Sequence, residues 1–378
     1  MTAIGNRIYS NLRGDRAIWL VVALLSLFSL LAVYSATGSL AYKYKGGDTE
    51  AYLIKHLALL IGGLGIMYIC FLLHYMRFSR VAPILLLVSV PLLMYTLAFG
   101  TSLNEASRWI TLPVVGISFQ TSDLAKLALI LYVARAITAK QDYIRDFKSA
   151  FVPIIIPIIV ICGLIAPADL STAMVLFLIC TLMMFIGRVD IKYIGLLLLL
   201  GIVMFACLII LAQFFPDLIR LETWITRTDD FFNNKEGSYQ VQRAKMAIAE
   251  GGLFGVGPGN SLHRNFLPSA YADFIYAIII EEYGLVGGFI ILGLYIVLLF
   301  RVVSLVTRSP KAFGAMLALG LCLSLVIQAL VNMAVAVHLV PVTGLPLPLL
   351  SMGGTSLLFT CVSIGMILSV SKYIEKAA

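Results

Sequence analysis

Apolar residues gather into ten long runs, near 17–38, 51–73, 81–99, 123–138, 151–167, 171–187, 191–215, 272–301, 312–338 and 355–373, with polar stretches between them. A helix needs about 20 apolar residues to cross a hydrocarbon layer, so the runs predict membrane-spanning α-helices. The fold class expected is an all-α polytopic membrane protein of about ten transmembrane helices. No polar block of domain size divides the runs, so residues 1–378 read as one integral domain. The first run follows the basic stretch Arg7 to Arg16, as a signal peptide would. It is longer than an ordinary signal core, and Val33-Tyr34-Ser35-Ala36-Thr37 lacks a clear small-x-small cleavage site, so it is expected to be retained.

Composition agrees: 61% of residues are hydrophobic and 12% charged. The net charge of +8 raises the question of nucleic acid, but the basic residues form no tract and nucleic acid is not an expected partner. Cys70, Cys162, Cys180, Cys207, Cys322 and Cys361 all lie in apolar runs without a CxxC pair, and no His sits at metal-ligand spacing from them. They read as small core residues.

Charge also sets orientation. Alternate loops hold fifteen of the 27 Lys and Arg residues, among them Arg77, Arg80, Lys140, Arg145, Lys148, Arg301, Arg308 and Lys311. The positive-inside rule then puts both termini in the cytoplasm. The connection between spans seven and eight, roughly 216–271, is by far the longest and falls outside. A connection of that length is usually functional or disordered, and function is favoured here. Within it, apolar and polar residues separate at helical spacing over Tyr239 to Ile248, which predicts a helix lying on the membrane surface.

Against this background the acids stand out, because an ionisable group at membrane depth costs at least a few kcal/mol unless paired or wet. Asp273 falls at the outer mouth of the eighth run and is the first candidate for chemistry. Glu281 is offset from it by roughly 80° and lies about 12 Å further along a helix; Glu281 and Glu282 either pair with buried bases or line water. Asp169 marks the same side of the bilayer between spans five and six. Asp123 and Lys126 share a helical face, as a structural salt bridge or as part of an anion site. Arg108 offers a fork for phosphate or carboxylate, and Trp109 beside it is expected in the interfacial belt.

The glycine-rich 251–260 stretch is either a flexible turn or a backbone cradle for lipid-carrier phosphates. His338, without a second His nearby, reads first as a structural residue. After it, Pro341, Pro346 and Pro348 with Gly344, Gly353 and Gly354 exclude regular helix, and such backbone is tolerated at a bilayer edge only when packed in protein or lining a wet cavity.

Taken together, Arg108-Trp109, Gln120-x-Ser122-x-x-x-Lys126, Pro167-x-Asp169, Tyr239-Gln240, the 251–261 loop, Pro268 through Asp273 to Glu281-Glu282-x-Gly284, Asn332 and the Gly344 to Ser356 run resemble the SEDS family (shape, elongation, division and sporulation) of ten-span peptidoglycan polymerases. Thr343-Gly344-Leu345-Pro346 is closer to its division-type than to its elongation-type members. The chain departs from the family pattern at Thr121, where Pro is common, and at Asp123, where Glu is common. It departs again at Ala270-Tyr271-Ala272, where His-Thr commonly precedes the Asp, at Arg243 for Gln, and at Met352 for Tyr.

The resemblance implies an inverting glycosyltransferase of the bacterial cytoplasmic membrane with its active site outside the cytoplasm. Lipid II, an undecaprenyl-pyrophosphate-linked disaccharide peptide, would be both donor and acceptor. Asp273 would be the catalytic residue, contributing about 10²–10⁴-fold as a base. Substrate would be held by Arg108, Trp109, Gln120, Ser122, Asp123, Lys126, Asp169, Tyr239, Gln240, Arg243, Lys245, Gly257, Ser261, Glu281, His338 and Ser351, with the cationic residues stabilising the leaving pyrophosphate. No cofactor is required by this scheme. Mg²⁺ or Mn²⁺ could share the pyrophosphate charge, although the sequence shows no carboxylate cage and no metal ligands are assigned. Expected partners are a class B penicillin-binding protein transpeptidase and other division proteins. The rival readings are a lipid II flippase, which would move lipid without making chains, and a non-catalytic scaffold for the transpeptidase.

Overall fold

The computed structural model describes residues 14–38, 49–103, 106–112, 117–214, 221–233, 237–267, 270–309 and 311–375. Arg7, Arg13, Lys43, Lys45, Pro268 and Lys376, used in the sequence reading, lie outside them, and the side chain of Arg108 is likewise not described.

Every apolar run is helical. The helices are α1 (Arg16–Ala36), α2 (Thr49–Leu72), α3 (Met76–Phe99), α4 (Thr121–Ala139), α5 (Val152–Ile165, preceded by a π turn at Phe147–Phe151), α6 (Leu170–Ile186), α7 (Ile191–Phe214), α8 (Leu221–Phe232), α9 (Tyr239–Gly251), α10 (Ile275–Thr307), α11 (Ala312–Ala336) and α12 (Thr355–Glu375). Eight are long and apolar enough to cross a membrane. Of the other two runs, α6 has only 17 residues, and α4 carries Asp123, Lys126 and Arg135. Polar caps set several starts. Asp15 accepts the N–H groups of Ala17 and Ile18 at the head of α1, and its carboxylate also pairs with Arg301 at 2.6 Å, tying α1 to α10.

α11 and α12 are buried over most of their length and form the centre, whereas α7 is mostly exposed. α12 packs along α2, α11 against α10, α4 and α6, and α1 against α10.

Three features differ from the sequence reading. First, the chain is not wholly helical: β1 (Thr101–Leu103), β2 (Ala106–Leu112) and β3 (Ile117–Gln120) form an antiparallel sheet in the order β1-β2-β3. The β2–β3 segment is rich in β-branched and aromatic residues suited to a pleat, and it packs on α12 through Phe119 and Phe359, 5.7 Å apart. Second, the long connection contains two helices, α8 and α9, rather than one. Third, one face of α9 is covered by protein. Val241, Ala244, Ala247 and Gly251 are buried and α9 packs on α10, because α10 offers an apolar surface that these small residues let come close.

Candidate functional site

α10 begins two residues after Asp273, not before it, so the carboxylate sits in a turn at the helix mouth. Three successive carbonyls of that turn are held from outside. Tyr271 accepts from the Met352 N–H at 3.0 Å, Ala272 from the Ser351 hydroxyl at 2.6 Å, and Asp273 from the Asn332 amide at 2.9 Å. Buried backbone acceptors need partners, and meeting that need here fixes the peptide that carries the acid.

The donors belong to α11 and to the irregular segment after it. Asn332 bonds the Leu345 carbonyl at 2.7 Å, and Gln328, one turn earlier on the same face, bonds that of Pro346 at 2.8 Å. The Tyr295 hydroxyl donates to Pro348 and Ser29 to Leu350 at 3.2 Å. Side chains from α1, α10 and α11 thus supply the proline-rich backbone with the partners it cannot find within itself. The same segment passes the acid: Gly344, at φ +70°, lies so close that a Cβ placed there would be 3.8 Å from Asp273 Oδ2.

Gln328 also links this centre to the Asp123/Lys126 pair. Lys126 Nζ lies 3.2 Å from Asp123 Oδ1 and donates to Gln328 Oε1 at 3.0 Å. The result is a continuous polar chain, Asp123–Lys126–Gln328–Pro346, adjoining Leu345–Asn332–Asp273. Gln328 was not singled out in the sequence. Its signal was two amides four residues apart in an apolar helix. Gln120 donates to Ser122 at 3.0 Å, and its pairing with Trp109 across β2 and β3 brings those two residues together.

A cavity of about 580 Å³ opens beside the segment, between α8 and α9, lined by Thr223, Thr226, Arg227, Asp230 and Phe231, by Ser238, Tyr239, Gln240 and Val241, and by His338, Pro341 and Val342. Arg227 donates to the Val342 carbonyl at 3.1 Å, so α8 is latched to the strip that leads on to Gly344 and Asp273. Tyr239, Gln240 and His338 are therefore brought together, with Arg227 as a cation that sequence reasoning missed. Burial, reinforced by the Lys245 charge, holds the His338 imidazole below its ordinary pKa. Arg243 instead packs between the rings of Tyr239 and Phe266, at 5.2 and 5.0 Å.

Other candidates have structural employment. Asp169 caps α6, accepting the Thr172 N–H at 3.1 Å. Glu281, fully buried, accepts from the Ser261 hydroxyl and from the N–H groups of Leu262 at 2.8 Å and His263 at 3.2 Å. Glu282 receives the Ser35 hydroxyl and the N–H groups of Gly259 and Ser261. The adjacent carboxylates thus organise the 257–265 loop, and Ser261 and Glu281 turn towards each other rather than towards the cavity.

The glycine-rich stretch resolves in the same way. Gly255 and Gly284, both at positive φ, let the loop clasp a break in α10. A Cβ at Gly284 would stand 2.1 Å from the Leu253 carbonyl oxygen, and one at Gly255 2.2 Å from that of Glu282. The N–H groups of Val256 and Gly257 already donate to Glu281 and Glu282, so the phosphate-cradle reading of Gly257 gives way to backbone packing.

A family profile described as "Cell cycle protein", covering FtsW, RodA and SpoVE, matches residues 15–376. The probable peptidoglycan glycosyltransferase FtsW of Trichlorobacter lovleyi is 33% identical over 373 residues, covering 96% of this chain and 94% of that protein. Among solved structures, a chain of a complex described as coordinating polymerization and crosslinking in a peptidoglycan synthase superposes with a TM-score of 0.69 at 26% identity, covering 95% of this chain and 97% of that one. The rod shape determining protein RodA of Thermus thermophilus gives 0.68 at 25%, covering 95% and 96%.

Proposed function

The chain belongs to the FtsW/RodA/SpoVE family of cell cycle proteins, and from that premise we propose that it is a peptidoglycan glycosyltransferase that polymerises lipid II into glycan strands for septal wall synthesis. It is a multi-pass membrane protein. In this reading it lies in the bacterial cytoplasmic membrane with both termini inside and Asp273 outside.

In the reaction, a sugar hydroxyl of one lipid II attacks the anomeric carbon of another. The new C–O bond forms with inversion, the bond to pyrophosphate breaks, and polyprenyl pyrophosphate leaves with its charge. Asp273 takes the hydroxyl proton. Arg227 and Lys245, at or near the cavity, face the charge that develops on the pyrophosphate. Lys126 acts from one step further back, through Gln328 and Pro346.

The observation that carries this reading is the anchoring of the Tyr271, Ala272 and Asp273 carbonyls by three separate donors. A general base works only if held in place, and rigid support of that kind is what a catalytic acid needs. The cavity volume also falls in the range of about 300–1,000 Å³ typical of small-ligand sites. A class B penicillin-binding protein is the partner this reading assigns, supported by the likeness to a chain of a peptidoglycan synthase complex.

The test is a glycan product ladder from purified protein and lipid II. Asp273→Ala and Asp273→Asn should insert normally and make no ladder. Normal polymerisation by both would remove Asp273 from its role, and vesicles in which the wild type moved labelled lipid II without forming chains would favour a flippase.

A further inference from the structure

Apart from the cavity, three ligand-bearing side chains converge from three different elements. Glu250 comes from the last turn of α9, His263 from the short turn His263–Asn265, and Glu281 from α10; one donor atom from each lies within 4.8 Å of the others. No local pattern announces this set, because the ligands are 13 and 18 residues apart, on two helices and the glycine-rich loop between them.

His263 is the telling member. It is 6% exposed, and neither ring nitrogen makes a hydrogen bond, although Nε2 points at Glu250 Oε1 from 3.3 Å. A neutral imidazole with its lone pair turned to a carboxylate is repelled. A protonated one would leave Nδ1–H buried without an acceptor. The Nε2–H tautomer meets Glu250 only at 3.3 Å, outside a well-formed bond, whereas a cation bound at Nε2 turns the lone-pair repulsion into coordination and gives both carboxylates a counter-charge; Nδ1 is buried in every one of these states. Glu281 Oε1 is taken by two N–H groups, whereas Oε2 receives only the Ser261 hydroxyl and keeps a lone pair.

We propose that Glu250, His263 and Glu281 bind a divalent first-row cation that staples the 251–265 loop to α9 and α10. Two carboxylate oxygens with one imidazole nitrogen suit Mn²⁺ or Zn²⁺ better than the harder Mg²⁺. Bonds of about 2.1 Å place ligand atoms no more than about 4.2 Å apart, so the set must close slightly. The Glu250 side chain, 49% exposed, is free to make that adjustment and leaves a side of the site open to water. Charge balances: two carboxylates and a neutral imidazole meet a dication. The role is structural, since Glu281 lies nearly two turns inside α10, about 9 Å along the axis from its first residue Ile275, whereas Asp273 stands in the turn before the helix.

The experiment uses full-length protein in detergent, stripped with EDTA and titrated with Mn²⁺ by EPR, with Zn²⁺ as competitor. One saturable equivalent is expected. His263→Ala and Glu250→Gln should each weaken it by at least about tenfold, as loss of even an outer partner of a metal site does. Mn²⁺ should raise the wild-type unfolding midpoint and, at the same concentration, raise that of Glu250→Gln less. That variant alters a half-exposed side chain and should match the wild type in EDTA. Asp273→Ala should retain the equivalent. The proposal is overturned by absence of saturable binding, by binding indifferent to Glu250→Gln and His263→Ala, by loss of the ion in Asp273→Ala, or by a midpoint that follows pH but not metal, the mark of an imidazolium–carboxylate pair.

Discussion

Asn332 gives the sharpest test of how the candidate base is held. Its Nδ2 donates to the carbonyls of Asp273 and Leu345 at 2.9 and 2.7 Å, in a site where the residue is 1% exposed. Asn332→Ala removes both bonds, each worth about 1 kcal/mol net, and leaves two carbonyls unpaired in a place water reaches poorly, so the loss should be about 2–4 kcal/mol. If the transition state feels most of it, polymerisation falls by about 30- to 1,000-fold, at 1.36 kcal/mol per tenfold. Asn332→Asp separates shape from chemistry. It keeps the outline but sets a carboxylate oxygen against two carbonyl oxygens, converting attraction into repulsion, so it should be the worse of the two. The assay is the rate of chain formation from lipid II, normalised to folded protein, with the unfolding midpoint measured in parallel. An Asn332→Asp enzyme within about threefold of wild type, or one no worse than Asn332→Ala, would refute the reasoning.

Lys126→Met should destabilise by about 3–5 kcal/mol, because it strands the Asp123 carboxylate, 4% exposed, without a counter-charge. Asp123→Asn should cost less, since Lys126 keeps Gln328, and the double variant should recover most of the loss; thermal or denaturant unfolding of all three decides it. Gly284→Ala should lower the unfolding midpoint through at least about 1–3 kcal/mol of backbone strain, while Gly293→Ala on the same helix, where a Cβ meets nothing within 4 Å, should be neutral. His338 titrates below its ordinary value of 6.5, so the unfolded chain takes up the proton first as pH falls. Its contribution to stability is therefore present above 6.5 and is lost on acidification through and below that value. Lys245→Met should shift the His338 imidazole titration, followed by NMR, to higher pH; an unmoved titration would show that Lys245 does not act on it.

The sequence anticipated the helices well, because crossing a membrane imposes a local rule: twenty or so apolar residues with every backbone group bonded inside the segment. It placed the start of α10 ahead of Asp273, whereas the structure starts the helix at Ile275. The turn residues bond to Asn332, Ser351 and Met352, which lie 59 to 81 residues away, and no local pattern reports such a competitor. The small sheet was missed because its strands are three to seven residues long, too short to establish a period. Asp273 stood out as a polar residue where apolar ones belong. The same logic, applied to Gln328 and Asn332, would have found the rest of its support. Asp169, Ser261 and Glu281 ranked behind Asp273 as substrate-binding candidates, and only the structure shows that Asp169 caps α6 and that Ser261 and Glu281 bond each other within the loop.

The sequence by itself determined which segments are helical, that they belong in a membrane, and that an acid stands at the mouth of α10, since each follows from the cost of placing a residue type in a given solvent. Tertiary structure alone decided which acid stands in a turn braced by distant donors and which are consumed by backbone N–H groups. It also decided that the loop glycines clasp α10 instead of an anion, and that Glu250, His263 and Glu281 meet. Those outcomes depend on hydrogen-bond partners and donor atoms brought together from distant parts of the chain, and such encounters leave no periodic trace in the order of residues.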